Sequence, residues 1–282
     1  MNSRSDRSGI LMMVLASICF SIGGLLIKLI PWNPLAINGA RNLVACLVVG
    51  LYIVLTHHKL KCNLTVLIGA ICLFGVTTLY AAANKLTTAG NTIILQYTAP
   101  VWIIVFLFLF FGKKPSRLEI LTIVMVLAGI LCFFFESLST GRFLGDALAL
   151  LSGIFYAGVF MLNSFEKGDA LSSIFFGQLI GGIFLSGLIT RESDFSAPVL
   201  AAIFLLGAVQ VGLAYIFFFY GTKRTGPVTA AVINALEPIL NPTLVAIFYG
   251  EMLGRLSLAG AGIVLAAILY YNVSLFRHPA SD

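Results

Sequence analysis

The stretch that decides the fold is ALEPILNPTLVAIFYGE, Ala235–Glu251. It has the composition of an apolar helix, interrupted by residues that are costly in lipid: Glu237, Pro238, Asn241 and Pro242. A carboxylate at the depth of the bilayer costs at least about 2.5–3.5 kcal/mol, and a proline removes a backbone donor and clashes with the preceding turn. Such a helix persists where neighbouring helices or water satisfy the freed groups, which predicts that this stretch lies inside a helical bundle.

The frame of this stretch occurs a second time, earlier in the chain. Pro100 precedes Gly112 by the same number of residues by which Pro238 precedes Gly250. The same offset relates three further pairs of positions: Lys85 and Lys223, Arg117-Leu118 and Arg255-Leu256, and VLAGIL (Val126–Leu131) and VLAAIL (Val264–Leu269). One constant offset predicts an internal duplication, with residues 8–136 and 143–276 as the two halves.

The composition is that of a membrane protein. Hydrophobic residues make up 60% of the chain and charged residues only 10%, whereas a soluble domain carries roughly 25% charged residues. The apolar runs approach the length of about 20 residues that a membrane-spanning helix needs, which predicts a polytopic α-helical membrane protein. The net charge of +6 lies mainly in short loops, which argues against nucleic acid as a partner. The cysteines lack the spacing of a metal site, and no cofactor is expected.

We predict ten transmembrane helices, an all-α integral membrane protein. Their approximate bounds are Gly9–Ile30, Pro34–Leu55, Leu64–Leu86, Ala89–Phe111, Arg117–Phe135, Phe143–Ser164, Leu171–Thr190, Ala197–Thr222, Pro227–Tyr249 and Leu256–Phe276. Lys and Arg concentrate in the loops on the side of the N-terminus, so both termini are predicted to be cytoplasmic. Five helices in each half is an odd number, so the second half is predicted to be inverted in the membrane. Inverted repeats are typical of alternating-access transporters.

The frame ALEP…P…GE in the ninth predicted helix and its weaker copy YTAP…GKKPSR in the fourth carry a family resemblance. The chain resembles the drug/metabolite transporter superfamily, EamA type, over nearly its whole length. That resemblance implies a basket of two inverted five-helix repeats around a central cavity. It also implies transport of amino acids, other metabolites or drugs, mostly as export, and the motifs do not specify the substrate.

Arg41 is the only arginine well inside an apolar predicted helix, and Asn38 lies three positions before it on the same face. One interpretation makes Arg41 an anchor for a carboxylate or phosphate, which arginine can hold with two parallel hydrogen bonds. The other interpretation is an arginine that snorkels to the outer headgroups or bonds helix-end carbonyls. Lys28 and Lys85, at helix ends, are expected to snorkel.

Glu237 lies near the middle of its predicted helix, and Asn234 and Asn241 share its face. It is predicted either to meet a substrate ammonium or to carry a coupling proton. The alternative is a protonated glutamate that bonds a neighbouring helix at the proline break. Because Glu-Pro belongs to the family frame itself, the sequence leaves both interpretations open.

Other polar residues recur at helical spacing within the predicted helices. The further predicted site residues are Tyr80, Asn84, Gln96, Tyr97, Trp102, Tyr156, Asn163 and Gln178. Polar positions outside that set are Thr77, Gln210 and Tyr215. Any single Tyr or Trp could equally lie in an interfacial aromatic belt. The pair Gly23-Gly24 is expected at a close helix contact.

The predicted function is a secondary transporter of the bacterial inner membrane for an amino acid or related carboxylate-bearing metabolite. Pro100 and Pro238 are the predicted hinges of alternating access. The expected partners are a small-molecule substrate, the lipid bilayer and a coupling proton, with the chain as a monomer or weak homodimer. A broad exporter of cationic or aromatic drugs is the main alternative. A passive channel and an integral-membrane enzyme are weaker ones, because neither a repeated charged ring nor a nucleophile–base pair is visible.

Overall fold

The computed structural model describes residues 7–112, 114–162, 167–225 and 233–277, and the regular structure within them is helical throughout. The helices, in chain order, are α1 (Arg7–Ser21), α2 (Gly23–Leu29), α3 (Pro34–Leu55), α4 (Leu64–Leu86), α5 (Ala89–Gln96), α6 (Ala99–Phe111), α7 (Arg117–Thr140), α8 (Phe143–Leu162), α9 (Ala170–Ile189), α10 (Ala197–Leu205), a π-helix (Leu206–Leu213), α11 (Ala214–Thr225), α12 (Glu237–Tyr249) and α13 (Arg255–Arg277). The prediction of an all-helical protein is confirmed for these ranges.

Seven helical segments of the described chain are long and apolar enough to cross a membrane. They are Arg7–Leu29, Pro34–Leu55, Leu64–Leu86, Ala89–Phe110, Arg117–Thr140, Ala170–Ile189 and Ala197–Thr222. Two shorter apolar helices, Phe143–Val159 and Arg255–Tyr271, lie where the sixth and tenth helices were predicted. The predicted ninth helix, Pro227–Tyr249, lies partly outside the described residues. The count of ten helices and the orientation of the termini therefore stay predictions.

Three of the predicted helices contain a turn in the structure. The breaks are a turn at Ile22, a turn at Tyr97-Thr98 and a turn at Ala235-Leu236. At the last two breaks the cause is visible in the sequence. Pro100 and Pro238 lack the N–H that would continue the preceding helix, and each lies in the first turn of a new one, where that N–H is not needed.

The two halves repeat the same arrangement around these breaks. α6 and α12 have 13 residues each, and each has proline as its second residue. Each ends at a glycine with a left-handed backbone, Gly112 at φ 64° and Gly250 at φ 75°. A side chain would be strained there, so glycine is the expected residue after a helix C-terminus. The following helices begin at Arg117 and Arg255, which are equivalent positions of the duplicated frame.

Helices of one half pack mainly on helices of the other. α3 packs on α9, α4 on α8 and α9, α7 on α13, and α1 on α11. Glycines allow the close approach, since a Cβ atom at Gly177 would lie 2.8 Å from the carbonyl oxygen of Ala70. Close packing at small residues is the usual means of helix association in lipid. The halves therefore form one interleaved bundle.

The end of the bundle that is predicted to face outward, called the Lys28 end, is tied across the halves by an ion pair. Lys28 Nζ lies 2.8 Å from Glu251 Oε2 and also donates to the carbonyl oxygen of Thr87 at 2.8 Å. The other carboxylate oxygen of Glu251 accepts the backbone N–H of Ala89 at 2.7 Å. The prediction that Lys28 snorkels is wrong, because its ammonium has an acidic partner that lies far away in the sequence.

The opposite end, called the His58 end, is predicted to face the cytoplasm and is also tied across the halves. His58 Nε2 lies 2.9 Å from Asp169 Oδ2. The backbone N–H of Lys61 donates to Ser172 Oγ at 3.0 Å. His58 and Lys61 belong to the connection between α3 and α4, whereas Asp169 and Ser172 lie at the start of α9. Each end of the bundle thus has its own contact between the first and second halves.

Candidate functional site

A small cavity lies inside the bundle between helices of both halves. Spaces between the helices of a bundle are among the usual places for small-molecule sites. Five of the predicted site residues line it: Arg41, Tyr80, Gln96, Tyr156 and Glu237. The remaining lining residues are Phe20, Val76, Thr77, Gln210, Val211 and Tyr215.

Arg41 reaches this cavity from α3 and is only 1% exposed. Its Nε donates to Asn38 Oδ1 at 3.0 Å, its Nη2 to the carbonyl oxygen of Thr77 at 2.7 Å, and its Nη1 to Gln210 Oε1 at 3.4 Å. Asn38 in turn donates to Thr78 Oγ1 at 2.9 Å, which fixes its orientation. A guanidinium has five N–H donors, so two are left without a partner in the described chain. The bonded, buried guanidinium excludes snorkelling to the headgroups.

Glu237 brings a carboxyl group to the same cavity, and Tyr97 lies behind it. The Tyr97 hydroxyl oxygen is 2.8 Å from Glu237 Oε2 and 2.8 Å from the carbonyl oxygen of Asn234. A phenol has one hydrogen to donate. If Tyr97 donates it to the Asn234 carbonyl, the contact with Glu237 is a hydrogen bond only when the carboxyl is protonated and donates. The hydroxyl can therefore switch between two acceptors with the protonation state of Glu237.

Arg41 and Glu237 line one cavity without forming an ion pair with each other. The ion pairs found in the described part of the chain are Lys28–Glu251 and His58–Asp169, at the two ends. Tyr80 lines the cavity with them, and its hydroxyl accepts from Asn241 Nδ2 at 3.0 Å. The cavity is therefore lined by a guanidinium group and a carboxyl group, neither of which forms an ion pair in the described part of the chain.

Broken helices end at this cavity. Gln96 is the last residue of α5, and Glu237 is the first residue of α12. The N-terminus of a helix carries a partial positive charge, so an anionic group is favoured at Glu237. Broken helices at equivalent positions of two halves are typical of the binding region of transporters. Pro100 and Pro238 lie just beyond these breaks, and their assignment as hinges stays a prediction.

Several predicted site residues do not line the cavity. Asn84 and Gln178 are fully buried in α4 and α9. Trp102 donates its indole N–H to Thr98 Oγ1 at 3.2 Å and packs on an apolar cluster. Asn38, Tyr97 and Asn234 lie behind the lining as hydrogen-bonding partners. Asn163 lies outside the described residues.

Six lining residues were absent from the predicted set. Thr77 lies at helical spacing with Tyr80 and Asn84, an arrangement that predicts an inward-facing stripe, but it was not included in the predicted set. Gln210 and Tyr215 had been recognised only as polar positions. Phe20, Val76 and Val211 are apolar residues in apolar helices, so the sequence carries no signal for them. Nothing in the described chain groups three or more His, Cys, Asp and Glu side chains as a metal site would need.

A second small cavity lies between the first one and the His58 end. It shares Tyr156 and Tyr215 with the first cavity. Its other lining residues include Gly69, Ala170 and Thr222, which lie near the ends of α4, α9 and α11 on that side. The two tyrosines therefore stand between the central cavity and the His58 end.

Comparison with known proteins gives a consistent family. The model of the EamA-like transporter family matches the chain twice, at residues 7–135 and 143–273. An uncharacterized inner membrane transporter of Escherichia coli K12, YedA, is 24% identical over 268 residues, which cover 88% of this chain and 85% of YedA. An uncharacterized transporter of Archaeoglobus fulgidus is 25% identical over 194 residues, covering 67% of this chain and 69% of that protein.

One solved crystal structure has a similar fold. It superposes with a TM-score of 0.67 and covers 96% of this chain and 99% of its own. The sequence identity is 17%, so this likeness concerns the fold alone.

Proposed function

Because the chain belongs to the EamA-like transporter family, we propose that this membrane transporter moves an amino acid or a related carboxylate-bearing metabolite by alternating access. Its relatives are named as transporters, which indicates a multi-pass membrane transporter rather than an enzyme. We place it in the bacterial inner membrane, since YedA is named as an inner membrane transporter.

One observation supports a carboxylate-bearing substrate. Arg41 lines the central cavity with two N–H donors free, and Glu237 lines the same cavity without a cationic partner. A zwitterion would satisfy both groups, its carboxylate at Arg41 and its ammonium near Glu237. Arginine suits a carboxylate because two parallel hydrogen bonds can form. The aromatic rings of Phe20, Tyr156 and Tyr215 line the same cavity and would contact the apolar part of such a substrate.

The proposed mechanism treats residues 8–136 and 143–276 as inverted repeats. Support comes from the equivalent breaks before α6 and α12 and from the two matches of the family model. Pro100 and Pro238 are the proposed hinges. Each follows a break directly, so bending there disrupts no hydrogen bond inside a helix.

A coupling proton would bind at Glu237. Protonation would let the carboxyl donate to the Tyr97 hydroxyl, which would then donate to the carbonyl oxygen of Asn234. Glu237→Gln keeps the shape and mimics the protonated state. If Glu237 carries the coupling proton, transport by this variant should not respond to a pH gradient, while exchange of substrate for substrate continues. If Glu237 binds the substrate ammonium, exchange should be lost as well.

The deciding experiment is a thermal-shift screen of the purified protein with amino acids and with the matching decarboxylated amines, followed by uptake into proteoliposomes. A ligand present at a hundred times its Kd raises the free energy of unfolding by about 2.7 kcal/mol. Arg41→Ala should weaken amino acids about thirtyfold or more, because truncating a buried charge partner costs about 2–5 kcal/mol. It should barely affect the amines.

Arg191→Ala, at an exposed arginine, is the matched control and should bind as the wild type does. Wild-type binding and transport by Arg41→Ala would reject the carboxylate site. Tight binding of amines with no response to amino acids would instead favour the exporter of cationic drugs.

A further inference from the structure

The membrane-length segment Ala197–Thr222 contains a helix of a rare type. Residues Leu206–Leu213 form a π-helix of 8 residues between α10 and α11. π-helices are rare and occur frequently at functional sites. Five residues along an ordinary α-helix turn the chain by about 140° beyond a full turn. Gln210 and Tyr215 are five positions apart, and both line the central cavity. The wide turns of the π-helix therefore present Gln210 to the cavity.

The amide of Gln210 lies between Arg41 and the backbone of Gly23. Its Oε1 is 3.4 Å from Arg41 Nη1, which is longer than the usual 2.7–3.2 Å of an N–H···O hydrogen bond. A Cβ atom at Gly23 would lie 2.8 Å from Gln210 Nε2 and 3.0 Å from its Cδ. The contact with Arg41 is weak, and the space for the amide exists only because residue 23 is glycine.

A carboxylate is a better acceptor for Arg41 than this distant amide oxygen, since hydrogen bonds between two charged groups are shorter and stronger than neutral ones. When a carboxylate binds the free N–H of Nη1, one of its oxygens comes near Gln210 Oε1, and the two oxygens repel each other. A turn of the amide about its terminal bond replaces Oε1 by Nε2, which has two N–H donors. The amide then donates to the carboxylate instead of competing with it.

We propose that Gln210 is a specificity-determining residue: when the substrate carboxylate binds the free donors of Arg41, the amide of Gln210 turns and donates an N–H to that carboxylate. The proposal rests on the proposed function and deepens it, because it selects substrates with a free carboxylate over their amides and amines. Gly23 provides the room in which the amide turns.

Two substitutions of Gln210 test this role. Gln210→Glu places a fixed carboxylate beside Arg41, which should pair with the guanidinium as the substrate does. We expect higher thermal stability without ligand and at least a tenfold loss of affinity for amino acids. The gain in stability should disappear in the double variant with Arg41→Met. Gln210→Leu keeps the bulk of the side chain without a donor or acceptor. It should also lower the affinity for amino acids about tenfold and leave the affinity for amines unchanged.

Two glycine substitutions test whether the side-chain amide of Gln210 needs the space beside residue 23. Gly23→Ala should raise the Kd for amino acids about tenfold and leave the amines unchanged. Gly187→Ala is the matched control, since nothing lies within 4 Å of a Cβ atom at Gly187. The probes are phenylalanine with 2-phenylethylamine and leucine with isoamylamine. Further carboxylate ligands to be tested are glutamine, glutamate, glycine and benzoate. Phenylalanine amide tests whether the free carboxylate is needed for binding.

The outcomes separate this inference from the proposed function. If no carboxylate stabilises the wild type, the proposed function fails and the role of Gln210 fails with it. If carboxylates stabilise the wild type, and both Gln210 variants and Gly23→Ala bind them with unchanged Kd, the role of Gln210 alone is rejected. Equal losses for amino acids and amines would also reject it, because they would indicate general damage to the cavity.

Discussion

The two ends of the bundle are each tied by one ion pair between the halves, but the two pairs differ in burial and in chemistry. The side chains of Lys28 and Glu251 are 9% and 18% exposed, and those of His58 and Asp169 are 25% and 13% exposed. The first pair joins a lysine to a glutamate, whereas in the second a histidine is a cation only when it is protonated. The two ends therefore differ in the chemistry of their basic residue.

The acidic residue of each ion pair also accepts a backbone hydrogen bond at the start of a helix. Glu251 accepts the first backbone N–H of α5, from Ala89, and Asp169 accepts the backbone N–H of Ser172 in α9. A carboxylate is favoured at such a position because the N-terminus of a helix carries a partial positive charge. Under the proposed alternating access, opening either end must break its pair. The enclosed pair at the Lys28 end should therefore oppose opening more strongly.

The largest effect is expected in a labelling experiment that tests on which side of the membrane each end of the bundle lies. In a Cys62→Ser background, which removes the exposed native thiol, cysteines at Lys61, Lys114 and Arg224 should be labelled only from the cytoplasm. Cysteines at Ser139 and Ser193 should be labelled only from outside. Labelling of Arg224 and Ser139 from one side would abolish the inverted repeat and the distinction between the ends.

Lys28→Met should have the next largest effect. It keeps the apolar stem of the side chain but leaves Glu251 as an unpaired, largely enclosed carboxylate. We expect a loss of about 1–3 kcal/mol, between the values for exposed pairs and for buried ones. The lower Tm in detergent measures it, and Lys28→Met with Glu251→Gln should recover part of the loss because no unpaired charge remains. A Tm equal to that of the wild type for Lys28→Met would show that this ion pair contributes nothing.

The sequence predicted the membrane fold and much of the cavity, because polar residues in apolar runs are conspicuous. Arg41 and Glu237 were found in this way, and the paired frame around Pro100 and Pro238 located the two broken helices. The breaks themselves were predicted as bends inside helices. The structure instead begins a new helix just before each proline, in the first turn of which the missing N–H is not needed.

Contacts between distant parts of the chain could not be predicted. Nothing in the sequence near Lys28 indicates that Glu251, 223 positions later, folds back beside it. The same holds for the π-helix that presents Gln210, since its residues have the composition of an ordinary apolar helix. The burial of Arg41 was left open for the same reason, because snorkelling and an interior site differ only in which helices surround the side chain.

His58→Gln should have a smaller effect than Lys28→Met. Its pair is partly exposed, and exposed pairs typically contribute about 0–1 kcal/mol. Glutamine can still donate a hydrogen bond to Asp169, so the expected change in unfolding free energy lies at the lower end of that range. His57→Gln is the matched control at the exposed neighbouring residue. A loss as large as that of Lys28→Met would contradict the ranking of the two ends.

The smallest expected effect is the pH dependence of the His58 end. Burial raises the pKa of the Asp169 carboxyl, but hydrogen bonds from Ser172 and His58 lower it by more, so its pKa lies below the ordinary value. The unfolded chain takes up this proton near pH 3.9. The ionised carboxylate therefore stabilises the fold fully above about pH 4, and its contribution is lost as the pH falls through the lower pKa of the folded protein. Asp169→Asn still accepts the N–H of Ser172 and removes only the charge. Its Tm should lie below that of the wild type at pH 6 and approach it at pH 3. A difference in Tm that stays the same at pH 6 and pH 3 would contradict this prediction, because it would not follow the charge of Asp169.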